Sequence, residues 1–142
     1  MYRLLTILGQ NRITPNYNYD KGYIILNANM LPEKISDSDY GKFSKLLNFL
    51  HTNHNNRLSY NNGKALKKID IAEFLKYKSV KNLNEYLRKM KKIKLLDEMS
   101  FGGIKYLIIN PAYAITSDFT LEQYHIDLFG EEVFKLYYCY LI

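Results

Sequence analysis

Residues 69–99 read IDIAEFLKYKSVKNLNEYLRKMKKIKLLDEM, and the order of elements they encode decides the fold. Asp70 is followed three residues later by Glu73, the spacing of a capping box. Ile69 before that cap and Phe74 four positions after it are placed as the accompanying hydrophobic staple. This predicts a short helix over residues 70–76. Ser79 is a second cap, and Val80, Leu83, Leu87 and Met90 recur at the three-and-four spacing of one apolar helical face. Residues 95–99 and 104–109 then read as two strands separated by a Ser100-Phe101-Gly102-Gly103 turn. Asn110-Pro111 stops the second strand, because proline has no N–H for a ladder.

Working outward, Ser36-Asp37-Ser38-Asp39 offers several caps, and Tyr40, Phe43, Leu46, Leu47 and Leu50 share one face of a helix predicted over 38–52. A polar loop follows to residue 56. Residues 57–60 and 64–69 flank Asn61-Asn62-Gly63, whose Asn-Gly pair suits a tight hairpin turn. At the start of the chain, residues 2–8 and 23–27 read as strands or an extended arm around an Asn-rich linker with Pro15, Asp20 and Gly22. Towards the end, Thr120 and Gln123 repeat the capping-box spacing, with Leu121, Tyr124 and Leu128 on one face. Gly130 weakens any continuation of that helix, and residues 133–142 fit helix or strand.

Helix, short hairpin, short helix, turn, longer helix and two-stranded hairpin is the order of a winged helix-turn-helix. The expected fold is therefore α+β: a single domain over residues 1–142, with a winged-helix core at about 36–111. An N-terminal strand extension, residues 1–35, forms an arm, and residues 112–142 form an acidic, apolar tail. A length of 142 residues suits one domain, and 47% hydrophobic with 24% charged residues is the balance of a folded protein.

Charge is unevenly distributed. The net charge is +6, and sixteen of the twenty basic residues are lysine, a bias shared by proteins encoded in AT-rich DNA. Residues 1–56 carry six basic and four acidic side chains, residues 57–105 thirteen and five, and residues 106–142 one and five. Base composition alone would not confine the positive field to the middle third, so its location points to a nucleic-acid partner.

The same residues carry a family resemblance. Ile69-Asp70-Ile71-Ala72-Glu73-Phe74-Leu75 resembles the first helix of a helix-turn-helix pair, and residues 79–96 resemble a recognition helix running into a wing. With Tyr106-Leu107-Ile108-Ile109-Asn110-Pro111 closing the wing, residues 23–115 are similar to RepL-type replication proteins of Firmicute plasmids and related phage proteins. The resemblance implies action at an origin of replication, and a relaxosome accessory protein at an origin of transfer fits the same residues. Such families usually place glycine between the paired helices and after the recognition helix. This chain has Lys76-Tyr77-Lys78 and Lys94 there, and left-handed geometry costs lysine about 1 kcal/mol or more.

On the predicted helix over 79–92, a 100° step puts Lys81, Glu85, Arg88 and Lys92 opposite the apolar face, flanked by Asn82 and Lys89. Arginine can bond guanine bidentately and asparagine adenine, while lysines mostly hold phosphates. Lys78 and Ser79 precede this face, and Lys64, Lys67 and Lys68 border the first hairpin, where they are placed to grip flanking backbone. Lys105 is the basic residue nearest the wing tip, so a minor-groove arginine finger is not supported. Phe101 at the tip can wedge against DNA or fold back onto its own hairpin.

Signals for catalysis are poor. His51 and His54 have no evident third ligand, and the adjacent pairs Asp97-Glu98 and Glu131-Glu132 point apart on helix and strand alike. The seven glycines form no phosphate loop, and Cys139 reads as a small hydrophobe. The expectation is a non-enzyme that needs no cofactor or metal. It is expected to be cytoplasmic, because no secretion signal or stretch long enough to span a membrane is evident. Its expected partners are double-stranded DNA, a second copy of itself and a replication or relaxosome enzyme. The homodimer is expected through an apolar end that carries Phe129, Val133, Phe134, Leu136, Tyr137, Tyr138, Tyr140, Leu141 and Ile142. A transcriptional regulator and a winged-helix protein adaptor are the alternatives.

Overall fold

The computed structural model describes residues 12–14, 24–26, 35–131 and 133. The expected strand over 2–8, the linker residues Pro15, Asp20 and Gly22, Cys139 and the tail from residue 134 onward lie outside the described residues. Among the described residues the architecture is mixed α and β, with four α-helices and two small antiparallel sheets.

Helix α1 (Asp37–Leu46) starts as expected, Ser36 Oγ accepting the Asp39 N–H at 3.1 Å. It is shorter than 38–52. From Leu47 the chain tightens into a 3-10 turn (Leu47–Phe49), and Leu50 then bridges to Leu58. An extended backbone thus buries Leu50, where a continued helix was expected. The hairpin over 57–60 and 64–69 contracts to one bridge, Ser59 to Ala65, with the Tyr60 N–H bonded to the Lys64 carbonyl at 2.9 Å. Its first arm has a better partner. The Leu58 N–H bonds the Leu107 carbonyl at 2.8 Å, and the Ile109 N–H bonds the Asn56 carbonyl at 3.0 Å. The Asn-Gly turn survives: Gly63 has φ +84°, and a Cβ there would lie 2.8 Å from the His54 ring.

Helix α2 (Lys68–Phe74) begins before the expected capping box, with Lys67 as its cap residue and no side-chain cap on the helix. Asp70 accepts from the Tyr60 hydroxyl, which itself accepts the Lys67 N–H at 3.1 Å. A tyrosine from the preceding turn therefore holds the helix start. The two-residue shift also undoes the expected staple. Ile69 and Phe74 are 52% and 40% exposed, while Ile71, Ala72 and Leu75 are buried. Helix α3 (Val80–Lys92) is capped as expected, Ser79 Oγ accepting the Asn82 N–H at 3.2 Å. Its buried side is Leu83, Tyr86, Leu87 and Met90, with Val80 only half-buried.

Both α2 and α3 end in the same hydrogen-bond motif. After α2, the Lys76 N–H bonds Glu73 O and the Tyr77 N–H bonds Ala72 O; after α3, the Lys94 N–H bonds Lys91 O and the Leu95 N–H bonds Met90 O. These pairs define Schellman caps, which require a left-handed residue at their pivot. The pivots are Lys76 with φ 63° and Lys94 with φ 60°. Lysine thus adopts the glycine conformation at both positions flagged from the sequence.

Leu95 belongs to that cap, so strand β3 (Leu96–Phe101) starts one residue later than expected. It pairs with β4 (Ile104–Ile109) in a register that sets Phe101 opposite Ile104. The turn is Gly102-Gly103 alone, with φ +59° and +83°, the positive pair that a two-residue hairpin turn demands. A second sheet has the order β1 (Arg12–Thr14), β2 (Ile24–Leu26), β5 (Ala114–Thr116). All three β2 residues and all three β5 residues are buried.

The packed core therefore extends beyond residues 36–111. A strand from the expected arm and a strand from the expected tail close it together. Helix α4 (Gln123–Phe129) also differs from expectation. The Thr120 N–H bonds Asn55 Oδ1, so Glu122 caps the helix instead, in a reciprocal box with His125. The buried face shifts accordingly to His125 and Phe129, and Gly130 ends the helix. Phe129 and Val133 pack with Ile108 and Ala112 on the outer side of the β3–β4 hairpin. These two residues of the expected dimer surface are thus spent on the domain itself. No helix among the described residues is long and apolar enough to cross a membrane.

Candidate nucleic-acid interface

Amphipathic burial of α3 determines which of its residues reach solvent. With Leu83, Leu87 and Met90 fully buried, Lys81, Arg88 and Lys92 are exposed, as are Asn82, Glu85 and Lys89. Ion pairing then separates the cations. Lys89 Nζ lies 3.0 Å from Asp39 on α1, whose carboxylate is only 11% exposed. Lys68 Nζ lies 3.9 Å from Glu98, which Lys91 also pairs. Lys89 and Lys68 are thus partly neutralised within the fold. Lys78, Lys81, Arg88, Lys92, Lys67 and Lys105 are all exposed, and among the described residues none has an ion-pair partner.

Position divides this set further. Lys78, Lys81, Arg88 and Lys92 belong to α3 and the turn before it, and Lys67 begins α2. Lys105 is separate, on β4 opposite Ser100. Ser79 is committed to capping, so its hydroxyl is an element of the helix start.

A groove of about 300 Å³ runs between α1 and α3, lined in part by Asp39, Lys42, Tyr77, Asn82, Glu85 and Lys89. Lys42 was not singled out from the sequence, yet its ammonium sits 4.5 Å from the Tyr77 ring and 5.8 Å from the Tyr86 ring. Such cation–π contacts hold a lysine in place without cancelling its charge. Tyr86 is buried and donates to the Asp39 carbonyl at 3.2 Å; burial raises its hydroxyl pKa. The two acidic and two basic side chains of the groove balance, whereas Lys81, Arg88 and Lys92 on the exposed face of α3 stand outside its lining. The spacing of Tyr77 and Tyr86 carried no helical or strand period that would have revealed this.

At the β3–β4 hairpin, Phe101 folds back. Its ring meets Tyr106 and Tyr124 edge-on at 5.9 and 5.1 Å, and the Arg57 guanidinium lies 4.8 Å from its centre. Arg57 also donates from Nε to the His54 carbonyl at 3.0 Å. Phe101 thus packs onto its own hairpin and onto α4, the fold-back arrangement of the two. The exposed apolar residue at the tip is Ile104.

The polar loop over 51–56 is a structural hub that its composition concealed. Asn55 donates from Nδ2 to Glu122 at 2.8 Å and accepts from Thr120 at 2.9 Å, while its carbonyl receives the Tyr124 hydroxyl and His125 Nε2. Asn56 donates to the Ile109 and Ala114 carbonyls. Asn53, Asn55 and Asn56 all have positive φ, a conformation asparagine tolerates better than most residues. His51 is buried, and the described residues contain no group of three side chains arranged to hold a metal ion. Of the two carboxylate pairs, Glu98 faces lysines while Asp97 accepts the Glu98 N–H, and Glu132 lies outside the described residues. No family model, no curated protein and no solved structure matches the chain.

Proposed function

We propose that this chain is a winged helix-turn-helix protein that binds double-stranded DNA with α3 in the major groove. In this reading α2 and α3 are the paired helices, the Lys76 cap is the turn between them, and β3–β4 is the wing. The observation that carries it is the basic edge of α3. Among the described residues, Lys78, Lys81, Arg88 and Lys92 stay exposed and without ion pairs while Lys68, Lys89 and Lys91 lie beside carboxylates. A solvated lysine face needs no such sorting.

Helix α4, in the acidic last third of the chain, packs through Phe129 against Ile108 of the hairpin. Action at a plasmid or phage origin, of replication or of transfer, is the setting the sequence resemblance implies. Two copies on two half-sites about one helical turn apart would combine the contacts of two short helices.

A salt titration of duplex binding tests the reading. Lys67, Lys78, Lys81, Arg88 and Lys92 neutralise about five phosphates, so log affinity against log salt should fall with a slope of roughly −4 to −5. Affinity unchanged between low and physiological salt, or no retention of random duplex at low salt, refutes it.

A further inference from the structure

On an edge made to meet phosphates, a carboxylate is electrostatically misplaced. Glu85 nonetheless shares the exposed side of α3 with Lys81 and Arg88. Its helical neighbours at four-residue spacing are Lys81 and Lys89, the positions from which lysines ordinarily pair with glutamate. Lys89 turns instead to Asp39. Among the described residues, the Glu85 carboxylate has no hydrogen-bond or ion-pair partner, and the Asn82 side-chain amide has none either. Both are exposed and both line the rim of the groove between α1 and α3. They are the third and sixth residues of α3, in the N-terminal half that faces base edges when such a helix enters a major groove.

The chemistry of the pair is specific. An amide side chain bonds adenine bidentately through its N6 and N7 edge, and a carboxylate accepts from the cytosine N4 amine. Three helical residues rise about 4.5 Å, close to the ~3.4 Å repeat along a DNA strand, so the two side chains address neighbouring base pairs. Resting on the DNA-binding reading above, we infer that Asn82 and Glu85 are its specificity-determining pair, Asn82 for adenine and Glu85 for a neighbouring cytosine. Lys81 and Lys92 hold the backbone. Glu85 weakens binding to any duplex that lacks the cytosine amine, because its charge then faces phosphates without compensation.

The test is selection of bound duplexes from a randomised pool by the full chain, followed by sequencing, for the wild type and for Asn82→Ala, Glu85→Ala and Glu85→Gln. The wild type should enrich a motif with adenine beside cytosine. Asn82→Ala should lose the adenine preference alone, by roughly 10- to 100-fold. Glu85→Ala should lose the cytosine preference alone and bind random duplex more tightly. Glu85→Gln should convert the cytosine position to adenine, because glutamine reads the adenine edge. Both side chains are exposed, so melting temperatures should match the wild type. A wild-type motif returned unchanged by all three variants overturns the inference and leaves DNA binding intact. A wild type that retains no duplex overturns the DNA-binding reading, and the inference with it.

Discussion

Replacing Lys76 with glycine should stabilise this protein, although it deletes an exposed side chain and adds no contact. Lys76 is the pivot of the cap after α2, with φ 63° and both cap hydrogen bonds in place. Left-handed geometry costs a residue with a Cβ about 1–2 kcal/mol, whereas glycine adopts it freely. Glycine also has a more mobile unfolded chain, which costs about 0.4–1 kcal/mol. The difference leaves a net gain of about 0.5–1 kcal/mol. With a urea dependence near the middle of the ~1–3 kcal/mol/M range for small proteins, the unfolding midpoint should rise by about 0.3–0.5 M at constant slope. Lys76→Ala separates geometry from charge: it removes the ammonium but keeps the Cβ, so it should gain nothing. Lys76→Asn should fall between the two. A midpoint lowered by glycine, or raised equally by alanine, refutes the strain argument.

Further outcomes follow from other parts of the structure. Arg88→Ala should reduce discrimination between cognate and random duplex by about 1–3 kcal/mol if its guanidinium reads a base, whereas Lys81→Ala and Lys92→Ala should weaken both alike in gel-shift titrations. Asn55→Ala loses two side-chain hydrogen bonds to the C-terminal segment and puts alanine at φ 51°, so urea unfolding should show a loss of about 2–3 kcal/mol. His125 is buried, its Nδ1 accepts the Glu122 N–H, and burial lowers its pKa below the ordinary 6.5. The unfolded chain therefore binds a proton first: stability from His125 is full above about pH 6.5 and declines as pH falls towards the lowered folded value. Melting at pH 7.5 and 5.5 should show a drop that His125→Gln removes. Sedimentation at tens of micromolar should find a dimer that becomes a monomer when residues 134–142, with Phe134, Leu136, Tyr137 and Leu141, are deleted; an unaltered distribution rules out pairing through that segment.

The elements legible in the sequence were those whose signals are local. Ser79 caps the helix it was expected to cap, one of the several caps offered at 36–39 holds the start of α1, and Leu83, Leu87 and Met90 are buried because a 3.6-residue period needs no partner to be read. The misread elements are those decided by a distant partner. Asp70 and Glu73 have the capping spacing, but the Tyr60 hydroxyl claims Asp70 and supplies the acceptor that holds the Lys67 N–H. Thr120 has the same spacing, and Asn55 claims its N–H from sixty-five positions away. Segment 57–60 prefers the edge of β4 to its own hairpin. Tertiary hydrogen bonds override a local motif wherever they satisfy the same backbone donor at no cost in exposed polar groups.

The same distinction governs the candidate interface. Sequence spacing placed Lys81 and Lys92 opposite the apolar face with Lys89 flanking them, all as solvated cations, because a helical wheel contains no neighbour. Asp39 sets Lys89 apart. It stands on α1, fifty positions before Lys89, and its carboxylate is nearly buried, so it needs a cation more than solvent does. Pairing with Lys89 neutralises the α1 side of α3 and leaves Glu85 without its lysine, which is what turns a solvated glutamate into a candidate base reader. Charge at the proposed DNA-facing edge is thus set by a residue outside it. Asp39→Asn should release Lys89 and steepen the salt dependence of duplex binding by about one unit of slope. An unchanged slope would mean that Lys89 reaches phosphate even while paired, and that the sorting of cations by Asp39 has no consequence for binding.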